Sequence, residues 1–134
     1  MALRILSAKK YATTLKVTIQ KTGRLGFTED TAKALDLASG KHAKFAQDEE
    51  NGSLYLIITN EADEDAFEIK LSSGYYYIPA KTLFDILGFN YEHSTIMFDL
   101  IRQSSHDNDL NGQVYFMKQR QTRNKEQKND IEEP

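Results

Sequence analysis

A short segment that occurs twice is the feature that most limits how this chain of 134 residues can fold. Residues 51–57 have the sequence NGSLYLI and residues 111–117 have NGQVYFM, with three identities, three exchanges between apolar residues and one between polar residues. Two copies of one unit are therefore predicted, at roughly 15–59 and 66–118. A unit of about 45 residues buries too little apolar surface to fold alone. We predict that both copies share one core in a single pseudo-twofold domain covering residues 1–118.

The sequence of each copy predicts the same secondary-structure elements in the same order. An alternating strand leads through a glycine turn, at Gly23 or Gly74, to a second short strand. A helix follows, which begins after Thr28 in the first copy and at Pro79 in the second. A hairpin then closes each unit, with an Asn-Gly pair in the connection between its two strands. The predicted fold class is α+β, mainly β, with two tandem ββαββ repeats. The repeating apolar positions predict a core of Leu35, Leu37, Phe45, Tyr55, Ile57, Leu87, Phe89, Phe98 and Tyr115.

Basic residues are concentrated at both ends of the chain. The formal net charge is −3, yet residues 1–25 contain six basic residues and no acidic one. Residues 118–128 add five basic residues against one acid, and the middle of the chain is acidic. Such segregation suits a surface that faces a polyanion, although solvated lysines on flexible ends give the same pattern. Residues 119–134 are almost wholly polar, which predicts a disordered basic and polar tail.

Little in the sequence favours an enzyme or a metalloprotein. Cysteine is absent, which excludes disulfides and thiolate metal sites and fits the interior of a bacterial or other reducing cell. Residues 107–112 imitate the first half of a calcium-binding loop, but Lys118 occupies the position of the required glutamate ligand. No apolar stretch approaches the roughly 18 residues of a membrane helix. We expect a cytoplasmic protein with no catalytic activity, cofactor, metal or membrane segment.

Short motifs in the turn and helix of each unit resemble a known family. Residues 23–25 read GRL and residues 35–40 read LDLASG, and their order and spacing are similar to the AbrB-type swapped-hairpin family of bacterial transcription factors. The tandem arrangement resembles the two-repeat MraZ branch of that family. Each copy keeps half of the signature, because Thr28 replaces the family's proline in the first copy. In the second copy, residues 78–79 keep the aliphatic-Pro pair but residues 74–75 read GY instead of Gly-Arg.

The resemblance implies a transcriptional regulator whose basic β-ribbon contacts duplex DNA. Carried over residue by residue, it assigns DNA contact to Arg24, with Lys16 and Lys21 beside it on the ribbon of the first repeat. The acid-free start of the chain adds Lys9 and Lys10 to the predicted DNA-binding residues. Lysine and arginine release counterions from phosphates, and the arginine fork can reach guanine edges. Lys16 and Lys21 also occupy positions where any half-buried strand is polar.

Three adjacent tyrosines allow a second interpretation. Alternation on a strand sends Tyr75 and Tyr77 to one face and Tyr76 to the other. Single-stranded bases could stack on such a face, with Lys70 or Lys81 nearby, whereas a contact in the core explains the same residues structurally. Three function classes stay open: a duplex DNA-binding regulator, a module that binds single-stranded nucleic acid, and a protein–protein assembly module. The candidate partners are nucleic acid and a second copy of the chain as a homodimer.

Overall fold

A computed structural model describes residues 2–6, 8 and 14–120. Lys9, Lys10 and residues 121–134 of the predicted tail lie outside these residues. The strands and α-helices that fall wholly within them are β1 Lys16–Ile19, β2 Arg24–Phe27, α1 Glu29–Ala34, β3 His42–Gln47, β4 Leu54–Thr59, β5 Phe67–Glu68, β6 Lys70–Ser72, β7 Tyr75–Pro79, α2 Lys81–Ile86, β8 Ile96–Arg102, α3 Asp107–Leu110 and β9 Gln113–Gln119. Short 3₁₀ helices span Leu37–Ser39 and Ser104–His106.

The nine strands form one antiparallel sheet that is nearly closed. Their order is β5-β3-β4-β9-β8-β1-β2-β7-β6. The two edge strands, β5 and β6, are consecutive in the chain and are separated only by Ile69. Because β5 pairs with β3 while β6 pairs with β7, one chain segment supplies both edges of the sheet. The predicted mainly β fold class with few helices is therefore confirmed.

The inner side of the sheet and two helices enclose one core. Val17 and Ile19 of β1 are buried, whereas Lys16 and Thr18 between them are half-buried, as the alternation of a strand requires. Helix α2 contributes Phe84, which is fully buried. Burial of each such side chain contributes about 1.5–3 kcal/mol, so the core residues of both halves jointly stabilise the domain.

Helices α1 and α2 begin differently. Thr28 caps α1 as its sequence predicts, because its Oγ1 accepts a hydrogen bond from the backbone N–H of Thr31 at 3.3 Å. The buried Thr31 Oγ1 in turn accepts from the backbone N–H of Lys16 at 2.8 Å, which ties α1 to β1. The predicted start of α2 is wrong: Pro79 is the last residue of β7, and Ala80 is the residue before the helix. Proline has no N–H to donate, so the pairing of β7 ends there.

Most of the predicted core residues lie in or against the core. Leu35, Leu37, Phe98 and Tyr115 are buried in the core cluster, and Phe45, Leu87 and Phe89 pack against it. Ile57 is buried but lies outside that cluster. Tyr55 is the wrong choice, because β4 directs Leu54, Leu56 and Ile58 inward. Alternation therefore turns Tyr55 outward, where its ring centroid lies 5.5 Å from that of Phe116.

The two Asn-Gly segments are alike in sequence but not in backbone. Gly52 has a φ of +78° and Asn111 has a φ of +52°, so the left-handed residue is the glycine in one segment and the asparagine in the other. A shift of one residue exchanges the two faces of a strand. Tyr55 and Tyr115, which the sequence match equates, accordingly face outward and inward. The sequence match of residues 51–57 with 111–117 therefore equates residues on opposite sides of the sheet.

The last described residues belong to the folded body. β9 includes Gln119, beyond the predicted end of the domain. The Arg120 Nε donates to Asp99 Oδ1 at 2.9 Å, and the Arg120 backbone N–H donates to the Met97 carbonyl at 2.9 Å. Among the described residues, no helix has the length and apolar character needed to cross a bilayer.

Candidate nucleic-acid interface

The hairpin of β1 and β2 carries three of the five predicted DNA-binding residues. Lys16 begins β1 and is half-buried, Lys21 lies exposed in the turn, and Arg24 begins β2 and is exposed. Gln20 closes the turn: its backbone N–H donates to the Arg24 carbonyl at 2.8 Å, and its carbonyl accepts from the Gly23 N–H at 2.8 Å. These two bonds fix the backbone of Arg24 relative to β1.

A row of residues crosses the outer side of the sheet next to Arg24. Thr18 lies opposite Gly26, Gly26 opposite Tyr77, and Tyr77 opposite Lys70. Their neighbours along each of β1, β2 and β7 are buried in the core or pack against it, so alternation directs the row outward. Arg24 shares this outer side because it lies two residues from Gly26. One surface therefore combines a glycine, an aromatic ring and two cations.

The Arg24 guanidinium stacks on the ring of Tyr77. Its central carbon lies 4.2 Å from the ring centroid. Arg24 and Tyr77 are diagonal neighbours on the strand pair, because Gly26 lies directly opposite Tyr77. The space above Gly26 is occupied by the Gln20 side chain, whose Nε2 would collide with a Cβ at that position. The stacking contact is worth about 0.5–1 kcal/mol at an exposed site. It holds the guanidinium against the sheet while Arg24 stays exposed.

Helix α2 supports the turn that precedes Arg24. A Cβ atom on Gly23 would lie 2.5 Å from Lys81 Cγ, so the turn packs directly against the lysine stem. The Lys81 Nζ lies 2.8 Å from Asp85 Oδ2, and the buried Tyr91 donates its hydroxyl hydrogen bond to Asp85 Oδ1. Lys81 is therefore held in place, and with it the turn.

The three polar groups of this support also shift each other's pKa. Hydrogen bonds from Lys81 and then from Tyr91 hold the pKa of Asp85 below its ordinary value. The hydrogen bond from Lys81 to Asp85 raises the pKa of Lys81. The separate hydrogen bond from Tyr91 to Asp85, together with desolvation, raises the pKa of Tyr91. All three shifts preserve the protonation states of neutral pH. The cluster is therefore a structural support rather than an acid–base pair.

The cations of the outer surface are not neutralised by ion pairs within the described residues. Lys16, Lys21, Arg24 and Lys70 take part in none of the salt bridges found there. Glu68, two residues before Lys70, is exposed and likewise forms no salt bridge in that part of the chain. The surface thus has an excess of positive charge that is open to an anionic partner.

The tyrosines alternate as predicted. Tyr76 packs against the core, Tyr75 is 64 % exposed, and Tyr77 is half-buried on the outer side. Sequence reasoning missed the contact between Tyr77 and Arg24. The tyrosine alternation was the available signal, but the contact also depends on the pairing of β2 with β7, which joins distant parts of the chain.

The segment that imitates a calcium loop has a structural role. Residues 107–110 form α3. Asp107 Oδ2 accepts from Arg102 at 2.5 Å, and Asp107 Oδ1 accepts from the Val114 N–H at 3.2 Å. The carboxylate therefore joins the ends of β8 and β9. Over the described ranges, no group of three or more histidine or acidic side chains is arranged to hold a metal ion.

Comparison with known proteins identifies no relative of this chain. No protein-family model matches it, and neither a curated protein nor a solved structure gives a significant match. A function therefore has to be argued from the geometry and charge of the outer surface.

Proposed function

We propose that this protein binds duplex DNA and acts as a transcriptional regulator. The binding surface comprises Lys16, Lys21, Arg24, Lys70 and Tyr77 and is called the Arg24 face below. The proposal depends on one observation: an exposed guanidinium is held 4.2 Å above an aromatic ring on a surface with unneutralised cations. The lysines would release counterions from phosphates, and the arginine fork would contact phosphate or guanine. An arginine that is already oriented loses less rotamer entropy on binding.

Single-stranded nucleic acid is a second candidate ligand, because Tyr75 is 64 % exposed and lies two residues from Tyr77 on the same side of β7. An exposed ring of this kind can stack with an unpaired base, and each such contact is worth about 1–3 kcal/mol. Bases in a duplex are already stacked on one another. Tyr75 would therefore contribute to single-strand binding much more than to duplex binding.

The two halves, we infer, are copies of one ββαββ unit related by a pseudo-twofold axis. Gly26 pairs with Tyr77, 51 positions later, and Leu56 pairs with Tyr115, 59 positions later. In a twofold arrangement, a residue faces its own counterpart only at the axis. The spacing of 59 also equates the two left-handed residues that precede β4 and β9. Both observations support the repeat, with an alignment that differs by one residue from the Asn-Gly match.

The pseudo-twofold relation would not duplicate the binding surface. At the spacing of 51, the counterpart of Arg24 is Tyr75, and at the spacing of 52 between the first strands, the counterpart of Lys16 is Glu68. An aromatic residue and an acid thus replace two of the cations. We expect one lopsided nucleic-acid site per chain, formed mainly by the first unit.

A salt titration of binding tests this function. The affinities for duplex DNA and for a single strand of the same sequence are measured at several salt concentrations. If all four cations of the Arg24 face contact phosphates, the logarithm of the duplex affinity should fall with the logarithm of salt at a slope of about −3.6. A higher affinity for the single strand would favour the second candidate. No binding at low salt would refute both and favour a protein–protein assembly module.

A further inference from the structure

Strand β6 has an edge that no other strand covers within the described residues. β1 pairs with β2 on one side and β8 on the other, whereas β6 pairs with β7 alone. Leu71 of β6 lies opposite Tyr76, which packs against the core. Leu71 is nevertheless 58 % exposed, while Ile19 on the inner side of β1 is 2 % exposed. An open edge with an exposed apolar side chain is a template for an added strand.

A cleft of about 390 Å³ opens next to the hairpin that contains this edge. It lies between the turn that joins β6 to β7 and helix α1. Its apolar lining consists of Phe27, Ala32, Ala38, Tyr75 and Tyr76. An apolar segment placed along β6 would therefore find further apolar surface beside it, which increases the area that docking removes from water.

The N-terminal arm, residues 2–6 with the sequence ALRIL, has the pattern of such a segment. Leu3 is 88 % exposed and Ile5 is 97 % exposed, with Arg4 between them. The same apolar-x-apolar pattern occurs in residues 96–98 of β8, which cover β1. In the single chain, both the arm and the edge of β6 are left exposed. Neither surface is buried by the other within one copy.

We propose that the arm of one copy adds as a strand along β6 of a second copy, so that this protein forms an arm-exchanged homodimer. Leu3 and Ile5 lie on the inner side beside Leu71. Arg4 then points outward, to the side of the sheet on which Glu68 is exposed. Because the exchange is reciprocal, two identical contacts form about a twofold axis. The second contact is intramolecular once the first has formed, which strengthens the pair.

Sedimentation velocity of the full chain over a concentration series, without nucleic acid, tests the exchange. The wild type should show a reversible monomer–dimer equilibrium. The arm variant, Leu3→Lys with Ile5→Lys, and the edge variant, Leu71→Lys, should each weaken dimerisation by about tenfold or more, because a lysine replaces apolar contact at the added strand. The control variant Ile86→Lys changes an aliphatic residue on α2 that is 77 % exposed and should leave the equilibrium unchanged.

A mixing experiment then tests whether the arm and the edge contact each other. The arm variant keeps an intact edge and the edge variant keeps an intact arm, so their equimolar mixture should form a heterodimer that neither forms alone. A monomeric wild type at every concentration, an arm variant that dimerises like the wild type, or a mixture without heterodimer would each overturn the proposal. Circular dichroism monitors folding of the edge variant. The arm variant alters only exposed residues, so its result counts even if the edge variant unfolds.

Discussion

The hairpin of β1 and β2 and the hairpin of β6 and β7 each have a left-handed glycine just before the second strand, but the two glycines lie in different surroundings. Gly23 and Gly74 have φ values of +85° and +83°. A Cβ atom at Gly23 would collide with the stem of Lys81, whereas one at Gly74 would have no atom within 4 Å. The first hairpin is thus enclosed and presents a fixed arginine, while the second ends the sheet and borders a cleft.

The difference between the hairpins arises in the strands that lie beside them in the sheet. β8 begins at Ile96 and pairs with the whole of β1. β3 begins only at His42 and reaches β5 but not β6, because residues 37–39 before it form a 3₁₀ helix instead of extending the strand. The turn residues therefore set the shape of each hairpin, and the neighbouring strand of the sheet decides how much of the hairpin is buried.

The largest expected effect compares the apolar residues that follow α1 and α2. Leu35 is 2 % exposed, whereas Leu87 is only partly buried against the core. Leu35→Ala should lower the free energy of unfolding by about 2–5 kcal/mol, and Leu87→Ala should cost less, because part of its side chain is already in water. Chemical denaturation of both variants measures the difference. Equal losses of unfolding free energy would mean that the difference in burial between Leu35 and Leu87 has no energetic consequence.

The next effect compares the turn glycines directly. Gly23→Ala should cost about 2–3 kcal/mol, since alanine is strained at a positive φ and its methyl group also displaces the stem of Lys81. Gly74→Ala meets only the backbone strain and should cost about 1 kcal/mol. Denaturant midpoints for the two variants, at unchanged m-values, give the comparison. If both variants were equally stable, packing of the Gly23 turn against α2 would not contribute to the stability of the fold.

Local signals account for the parts of the fold that the sequence predicts well. A capping threonine at Thr28 and glycines at the turns act through their nearest neighbours. The start of α2 was mispredicted because Pro79 suits the end of a strand as well as the first turn of a helix. The face of Tyr55 on β4 was mispredicted because the left-handed residue is Gly52 before β4 but Asn111 before β9, so the two strands alternate one position out of step.

The candidate site was predictable only in part, for a related reason. Arg24 stands out in the sequence through its glycine turn and its acid-free surroundings. Its contact with Tyr77 requires the register of β2 on β7, which pairs residues more than fifty positions apart, and one sequence does not give a register over that distance. Residues 107–112 resembled part of a calcium-binding loop in the sequence, because no local pattern predicts the ion pair of Asp107 with Arg102.

The two hairpins should also differ in their contribution to DNA affinity, by a smaller free energy than in the stability comparisons above. Arg24→Ala should cost about 1–3 kcal/mol of duplex affinity if the arginine contacts a base, and should reduce the magnitude of the salt slope by about 1 if it contacts a phosphate. Tyr75→Ala, at the matching position of the other hairpin, should leave duplex affinity nearly unchanged. Fluorescence anisotropy at two salt concentrations measures both variants.

The matched control for Arg24 is Lys33→Ala, which removes an exposed cation from α1 whose only ion pair in the described chain is with Glu29. It should change duplex affinity little. A loss for Lys33→Ala as large as that for Arg24→Ala would show that general charge, rather than the Arg24 face, controls binding. Circular dichroism of each variant confirms that it is folded.

The smallest effect concerns the ion pairs on the two helices. Glu29 and Lys33 lie 3.2 Å apart on α1, and Lys81 and Asp85 lie 2.8 Å apart on α2, both pairs at i,i+4 spacing. An acid before a base is the better order on a helix, so α2 has the weaker arrangement. In the α2 pair, however, Asp85 also accepts a hydrogen bond from Tyr91. Lys81 and Tyr91 together hold the pKa of Asp85 below its ordinary value.

A lowered carboxyl pKa predicts the sign of the pH effect. Asp85 stabilises the fold above the ordinary carboxyl value of 3.8, and that contribution is lost as the pH falls through the lowered value. Asp85→Asn should therefore be less stable than the wild type at neutral pH and should approach it in acid, because asparagine can still accept from Tyr91 but carries no charge. Denaturant midpoints across the acid range measure the convergence. Glu29→Gln, at the equivalent end of the exposed pair on α1, should follow the wild type throughout, since water screens a pair that is about three-quarters exposed. Parallel pH profiles for the wild type and Asp85→Asn would mean that the turn before Arg24 does not depend on this charge.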